Sequence, residues 1–271
     1  MTEDQYLTVR HKTVRKANQL IQKSRFSLSL QQQKILLYLI SQISPQDEDF
    51  KLYQFSIPEF CRVCGLTDSG TNYSDLKSAI KDIADKSLWV RLPSGYDSLL
   101  RWIEKACIDE KSGQIEVRLD NDMKPFLLQL RENYTQYEMI FTLHFKSKYT
   151  IRLYELIKSL HFHPQQEYKR RFSIEELKSL LDAETYKTFQ HFKDRVIAPC
   201  VKEINEYSDK SVEYELIKTG RSFTDIEFTI SSKDTLEVLR IKSEIDKEFG
   251  TDQLTLWDRI EQADEKRREG A

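Results

Sequence analysis

The feature that most restricts how this chain can fold is a pattern that occurs twice. Phe55-Ser56-Ile57-Pro58-Glu59-Phe60 is echoed by Phe172-Ser173-Ile174-Glu175-Glu176-Leu177, an offset of 172 − 55 = 117 residues, and Tyr38-Leu39-Ile40 is echoed by Tyr154-Glu155-Leu156-Ile157. After each copy the expected elements come in the same order: a short helix, a turn, a longer helix and a hairpin. Two helices joined by a tight turn, the second with a polar outer face, follow helix-turn-helix grammar. A hairpin after them makes a winged helix. The chain therefore reads as α+β, with two tandem winged-helix domains related by an internal pseudo-repeat and a C-terminal helical tail. The expected boundaries are a flexible N-terminus over 1–13, a first domain over 14–135, a second over 136–232 and a charged tail over 233–271.

In the first unit, residues 14–23 have helical spacing, and Ser29 can cap a helix over 30–43. Pro58 suits a helix's first turn and Gly65 its end. A longer helix follows through Lys86, with Leu76, Ile80 and Ile83 inward and Tyr73, Lys77, Ser78 and Lys81 outward. Strands are expected over 87–92, 99–108 and 114–119, then a short helix over 122–130. In the second unit, alternation marks strands over 212–218 and 223–230. Lys218 and Arg221 flank the turn between them, where they can meet phosphate.

Residues 185–207 carry the clearest binding signal. Phe189, Phe192, Val196, Cys200, Ile204 and Tyr207 recur at three- and four-residue steps and share one helix face. Lys187, His191, Asp194, Arg195, Ala198, Lys202 and Asn205 occupy the other. A helix with one buried side and a polar, partly cationic side of little bulk suits a DNA major groove. Pro199 should bend this helix rather than break it, because the apolar face keeps its phase.

Composition narrows the class. Charged residues make up 32% and the net charge is −2. From Lys233 onward there are eight basic and eleven acidic side chains, 8 − 11 = −3, so the remainder carries −2 + 3 = +1. DNA binding must therefore come from local basic clusters, at residues 11–25, 146–152 and 169–171. No phosphate-binding or dinucleotide glycine motif is present, so no cofactor is expected. No apolar run is long enough to span a membrane and no signal peptide opens the chain, so a cytoplasmic protein is expected. Cys61 and Cys64 form a CxxC without a second pair, and all four cysteines read as reduced core or near-core residues, with no metal.

Three stretches resemble the replication initiators of iteron plasmids over roughly residues 14–231. They are Asn18-Gln19-Leu20-Ile21 with Phe26-Ser27-Leu28-Ser29-Leu30-Gln31; Lys148-Tyr149-Thr150-Ile151-Arg152-Leu153-Tyr154-Glu155-Leu156; and residues 192–205, including Pro199 and Glu203-Ile204-Asn205. The resemblance implies a bacterial protein that binds direct repeats of double-stranded origin DNA, melts nearby AT-rich DNA and recruits the host initiator and helicase. It also implies a homodimer, formed through the first domain and in equilibrium with monomer, that represses its own gene. On this chain it assigns DNA contacts to Lys187, Thr188, His191, Asp194 and Arg195, with Arg195 on guanine. Ser147 and Lys148, at a helix start, suit a phosphate. Tyr73, Lys77, Ser78 and Lys81 serve the first domain. No catalytic residue is implied.

Two other classes compete. A transcriptional regulator of the same fold needs no origin function. A rolling-circle nickase would use His161 and His163 for a metal and Tyr207 as nucleophile, but the histidine pair follows a helix and precedes Pro164, and Tyr207 lies on its helix's apolar face.

Overall fold

The computed structural model of the chain describes residues 2–66, 70–109, 111–160 and 167–249. The chain begins with α1 (Glu3–Arg10), β1 (Thr13–Ala17), α2 (Asn18–Lys23), β2 (Ser24–Arg25) and α3 (Leu30–Ser41). Next come β3 (Tyr53–Ser56), α4 (Ile57–Val63), α5 (Gly70–Asp85), β4 (Ser87–Arg91), β5 (Asp97–Arg101), β6 (Ile103–Ile108) and β7 (Gln114–Leu119). A 3₁₀ turn and α6 (Lys124–Leu127), β8 (Tyr134–Glu138) and α7 (Ile140–Leu143) lead into the second unit. That unit runs α8 (Lys148–Leu160), β9 (Tyr168–Ser173), α9 (Ile174–Leu181), α10 (Phe189–Phe192), a π-turn (Lys193–Ile197), α11 (Ala198–Tyr207), β10 (Lys210–Thr219) and β11 (Ser222–Ser232). The last described helix is α12 (Thr235–Glu248).

The pseudo-repeat is topological. In the first unit β3 pairs with β7 and β7 with β6; in the second β9 pairs with β11 and β11 with β10. In each, the strand that enters the helix pair is zipped onto the last strand of the wing. The repeated Phe-Ser-Ile explains why. Phe55 and Phe172 are buried, while Ser56 and Ser173 cap α4 and α9 by accepting from the backbone N–H of Glu59 (3.3 Å) and Glu176 (3.1 Å). Ser173→Ala should cost about 1 kcal/mol, as lost N-caps do, read as a lowered urea midpoint.

Several local expectations give way. The strand expected over 99–108 is two strands that part at Trp102. Its indole is buried at 2% exposure and meets Phe26 edge-on at 5.1 Å, and that anchor turns the chain. β5 therefore pairs with β4, and β4 with β2, giving the first unit an inserted hairpin that has no counterpart among the described residues of the second. Residues 14–23 are not one helix: β1 pairs with β8, which the sequence did not suggest. The N-terminus is not loose, since α1 buries Tyr6, Val9 and Arg10. Of the cysteines, Cys61, Cys64 and Cys200 are buried, and burial pushes the Cys64 and Cys200 thiols up to about 12; Cys107 is exposed.

The two units share one buried apolar cluster and a charged hub. Glu155 on α8, 1% exposed, accepts from Lys16 Nζ on β1 (2.6 Å) and from the Tyr137 hydroxyl on β8 (2.6 Å). Arg152, one turn away, donates to the carbonyls of Ile21 and Leu180 (3.3 Å each), and its guanidinium lies 4.2 Å from the Phe26 ring centroid. Burial draws the Arg152 pKa down to about 10.

α12 closes the far end. Its spacing points Leu236, Leu239, Ile245 and Phe249 at the body; Ile245 is buried and Phe249 packs against the core, Ile241 is buried as well, and Leu236 is 56% exposed. His11 bridges two carboxylates, Nδ1 to Glu138 and Nε2 to Asp246, at 2.9 Å each. Burial disfavours its charge, but the bonds to Asp246 and Glu138 outweigh burial and raise its pKa from 6.5 to about 9. The folded pKa lies above the unfolded one. The contribution to stability is thus complete below pH about 6.5 and is lost as pH rises through about 9. Urea midpoints should fall across that window, and less so in His11→Gln.

Candidate nucleic-acid interface

The second unit presents the candidate reading helix as the sequence suggests on the buried side and differently at its start. Phe192, Val196, Cys200 and Ile204 are buried, joined by Ile197 and Val201. The helix begins at Phe189 rather than 185. Lys187 and Thr188 therefore precede it, and Thr188 is its N-cap, its hydroxyl accepting from His191 N–H at 3.3 Å. Thr188 is exposed but already has this structural task.

Pro199 is accommodated one turn earlier. Proline cannot donate to the carbonyl four residues back, and its ring crowds that carbonyl. The chain widens by one residue into the π-turn, which Ala198 N–H closes onto the Lys193 carbonyl. Helix and apolar face then continue without a break, the usual form of a π-bulge.

On the outward side Lys187, His191, Arg195 and Lys202 are exposed. Among the described residues none of these four side chains has a hydrogen-bond or ion-pair partner. Asp194 is exposed too, but it accepts from Gln190 at 2.5 Å and pairs with Lys193 at 3.1 Å, which holds its carboxyl low. Asn205, expected to face outward, instead grips β10, donating to the Val212 carbonyl (2.9 Å) and accepting from its N–H (2.7 Å). That pair fixes the angle between helix and wing.

The wing follows. β10 and β11 turn through Gly220 at φ +65°, a left-handed conformation glycine takes without strain. Lys218 and Arg221 are exposed at the tip. Phe223 packs on Phe189 at 5.0 Å between ring centroids, with Lys218 Nζ 4.6 Å above it. Sequence reading missed this aromatic pair. Phe223 sits one residue off the alternation of its strand, at a register shift between Ile217 and Lys218, and that offset was the available signal.

The other candidates divide. Ser147 is half-buried and its hydroxyl accepts from Tyr149 N–H at 3.2 Å; Lys148 is ion-paired with Asp182 at 2.6 Å. The helix start expected to meet a phosphate is thus partly engaged within the protein itself. In the first unit Ser78 and Lys81 are exposed on α5, while Tyr73 and Lys77 are half-buried, Lys77 lying 5.0 Å from the Tyr73 ring centroid. The α5 candidates and the α10–α11 candidates belong to separate domains.

Two of the three basic clusters are largely spent inside the fold. Within residues 11–25, His11 and Lys16 hold carboxylates, and Arg25 donates to Ser179 and to its neighbour's carbonyl. Within 146–152, Lys148 and Arg152 are engaged as described. Lys169 and Arg170 on β9 stay exposed, while Arg171 pairs with Asp225 at 2.8 Å. Tyr207 stacks on His144 at 4.8 Å, with Glu206 and burial pushing its hydroxyl up to about 12. His161 and His163 lie outside the described residues.

Fold and surface together define a tandem winged-helix protein with an exposed, partly cationic helix beside a β-wing. Its sequence matches the first winged-helix domain of the initiator replication proteins over residues 13–158 and the second over 173–230, and the chain belongs to that family. Among solved structures it is similar to the Pi initiator protein in complex with iteron DNA, at TM-score 0.68 and 18% identity, covering 83% of this chain and 99% of that one. Two structures of RctB domains 2 and 3 align at TM-scores of 0.47 and 0.48, with 11% and 12% identity over 77% of this chain and 85% of theirs. At that distance they say nothing about the site.

Proposed function

We propose that this plasmid replication initiator binds iteron-type direct repeats through both winged helices, with the α10–α11 helix as the main reader. The observation that carries this is the contrast among its cations. Arg195, His191 and Lys187 stand exposed and unpartnered beside a wing bearing Lys218 and Arg221, whereas most basic residues elsewhere are paired or buried. The side chains left unpaired are those a duplex can neutralise. The Pi protein, which shares the fold, was solved on iteron DNA. Tyr73, Lys77, Ser78 and Lys81 on α5 serve the second contact, and Ser147 and Lys148 the phosphates, the latter after exchanging Asp182 for DNA.

On this reading the protein opens adjacent AT-rich DNA, engages the host initiator and helicase in the bacterial cytoplasm, and breaks no covalent bond itself. Gel-shift titration and footprinting on cloned origin DNA test it. Protection of several direct repeats at one spacing is the expected result. Protection of a lone inverted repeat alone would leave only the regulator.

A second copy would repress the gene by pairing through the first domain. β5 is a sheet edge, and on its outward face Leu99 sits opposite Trp89, both 52% exposed. Leu99→Lys should shift the sedimentation profile toward monomer; an unchanged profile removes this face from the dimer.

A further inference from the structure

Two segments lie outside both family domains: α1 before residue 13 and α12 after residue 230. In the fold they meet. Arg10 of α1, 1% exposed, donates through Nε to the Val63 carbonyl (3.1 Å) and through Nη2 to those of Arg62 (2.9 Å) and Phe249 (3.3 Å). Its Nη1 lies 3.5 Å from Asp246 of α12. One guanidinium thus joins α1, the end of α4 in the first winged helix, and the helix that leaves the second.

Phe249 completes the joint. Its ring is stacked on His144 at 4.6 Å and 4°, and the other face of His144 meets Tyr207, the last residue of α11, at 16°. The ring's edge fills the space above Gly65, where an added Cβ would stand 2.2 Å from it. Gly65 ends α4, so a contiguous stack runs from the first domain's helix pair to the end of the second domain's reading helix.

We propose that this terminal clasp orients one winged helix against the other, with Phe249, Asp246 and Gly65 as positioning residues for two-domain DNA reading. The Glu155 hub is one attachment between the domains. Together with the shared apolar cluster it joins them along α8; the clasp, built from other residues at another place, adds a contact that resists rotation about that line. Preorganised domains bind a site of fixed spacing without losing that freedom on binding. The DNA part of this inference rests on the proposed function; the orientation part does not.

The test uses the full chain in two arms. Spin labels on the exposed Cys107 and on Ser222→Cys report the distance between the two wings by double electron–electron resonance. Phe249→Ala removes the stack from one side. Gly65→Asn attacks it from the other, because asparagine tolerates the left-handed backbone of that position while its Cβ displaces the ring. Both variants should broaden the distance distribution, and Leu236→Ala, on the exposed side of α12, should not. Unlabelled, both should bind iteron DNA about tenfold more weakly, about 1.4 kcal/mol. A distribution as narrow as the wild type's in either correctly folded variant overturns the clasp. Wild-type protein that ignores iteron DNA would instead sink the function, while the distance arm still decides the orientation.

Discussion

Glu155→Ala should lower the unfolding free energy by about 3–5 kcal/mol, the range found when one partner of a buried ion pair is removed. Its carboxylate is 1% exposed and takes hydrogen bonds from Lys16 and Tyr137 at 2.6 Å, with Arg152 Nη1 at 3.9 Å. Without it two cations stay in the core uncompensated, and burial already draws both of their pKa values down. Because Lys16 is on β1 and Tyr137 on its partner β8, the loss reaches the strand pair between the domains. Glu155→Gln keeps an acceptor for Tyr137 but not the charge, and should fall between wild type and alanine. Urea unfolding of the three proteins decides. A loss under about 1 kcal/mol in Glu155→Ala, the range of an exposed pair, would mean that the hub is open to water.

Arg195→Ala should weaken specific binding by about 1–3 kcal/mol and relax one base position, as when a bidentate guanine contact is lost. Arg195 is exposed and without a partner among the described residues, so no internal bond must break to release it. Titration against the native repeat and a scrambled one separates the outcomes. A loss on the native repeat alone is the expected result. Equal losses on both would place the guanidinium on phosphate.

The doubled winged helix was legible because its signals are local and redundant. Phe-Ser-Ile stands at both sheet-to-helix junctions, and the apolar face of the reading helix spells itself at three- and four-residue steps. What could not be read was long-range. Nothing in residues 13–17 announces that they pair with a strand more than a hundred residues later. Trp102 looks like one more strand residue until Phe26 is found beside it. Of the site, the exposed side chains His191, Arg195, Lys218 and Arg221 were legible from helix phase and hairpin position. The partners that engage Lys148, Asp194 and Asn205 were not, because each comes from a contact that spacing cannot reveal or from a competing neighbour. Charge runs were the poorest guide: the basic residues at 11–25 hold the protein together.

The π-turn makes the reading helix adjustable in a way a regular helix is not. It carries one residue more than an α-helix of the same reach needs, so a one-residue deletion between 193 and 197 closes the wide turn and returns the Pro199 ring against the carbonyl four residues back. The capped start at Thr188 and the brace at Asn205 would keep their seats. Between them the side chains near the deletion would swing by about 100°, one helical step. A single-codon loss there would thus change which side chains of the helix face outward, with Pro199 setting the cost.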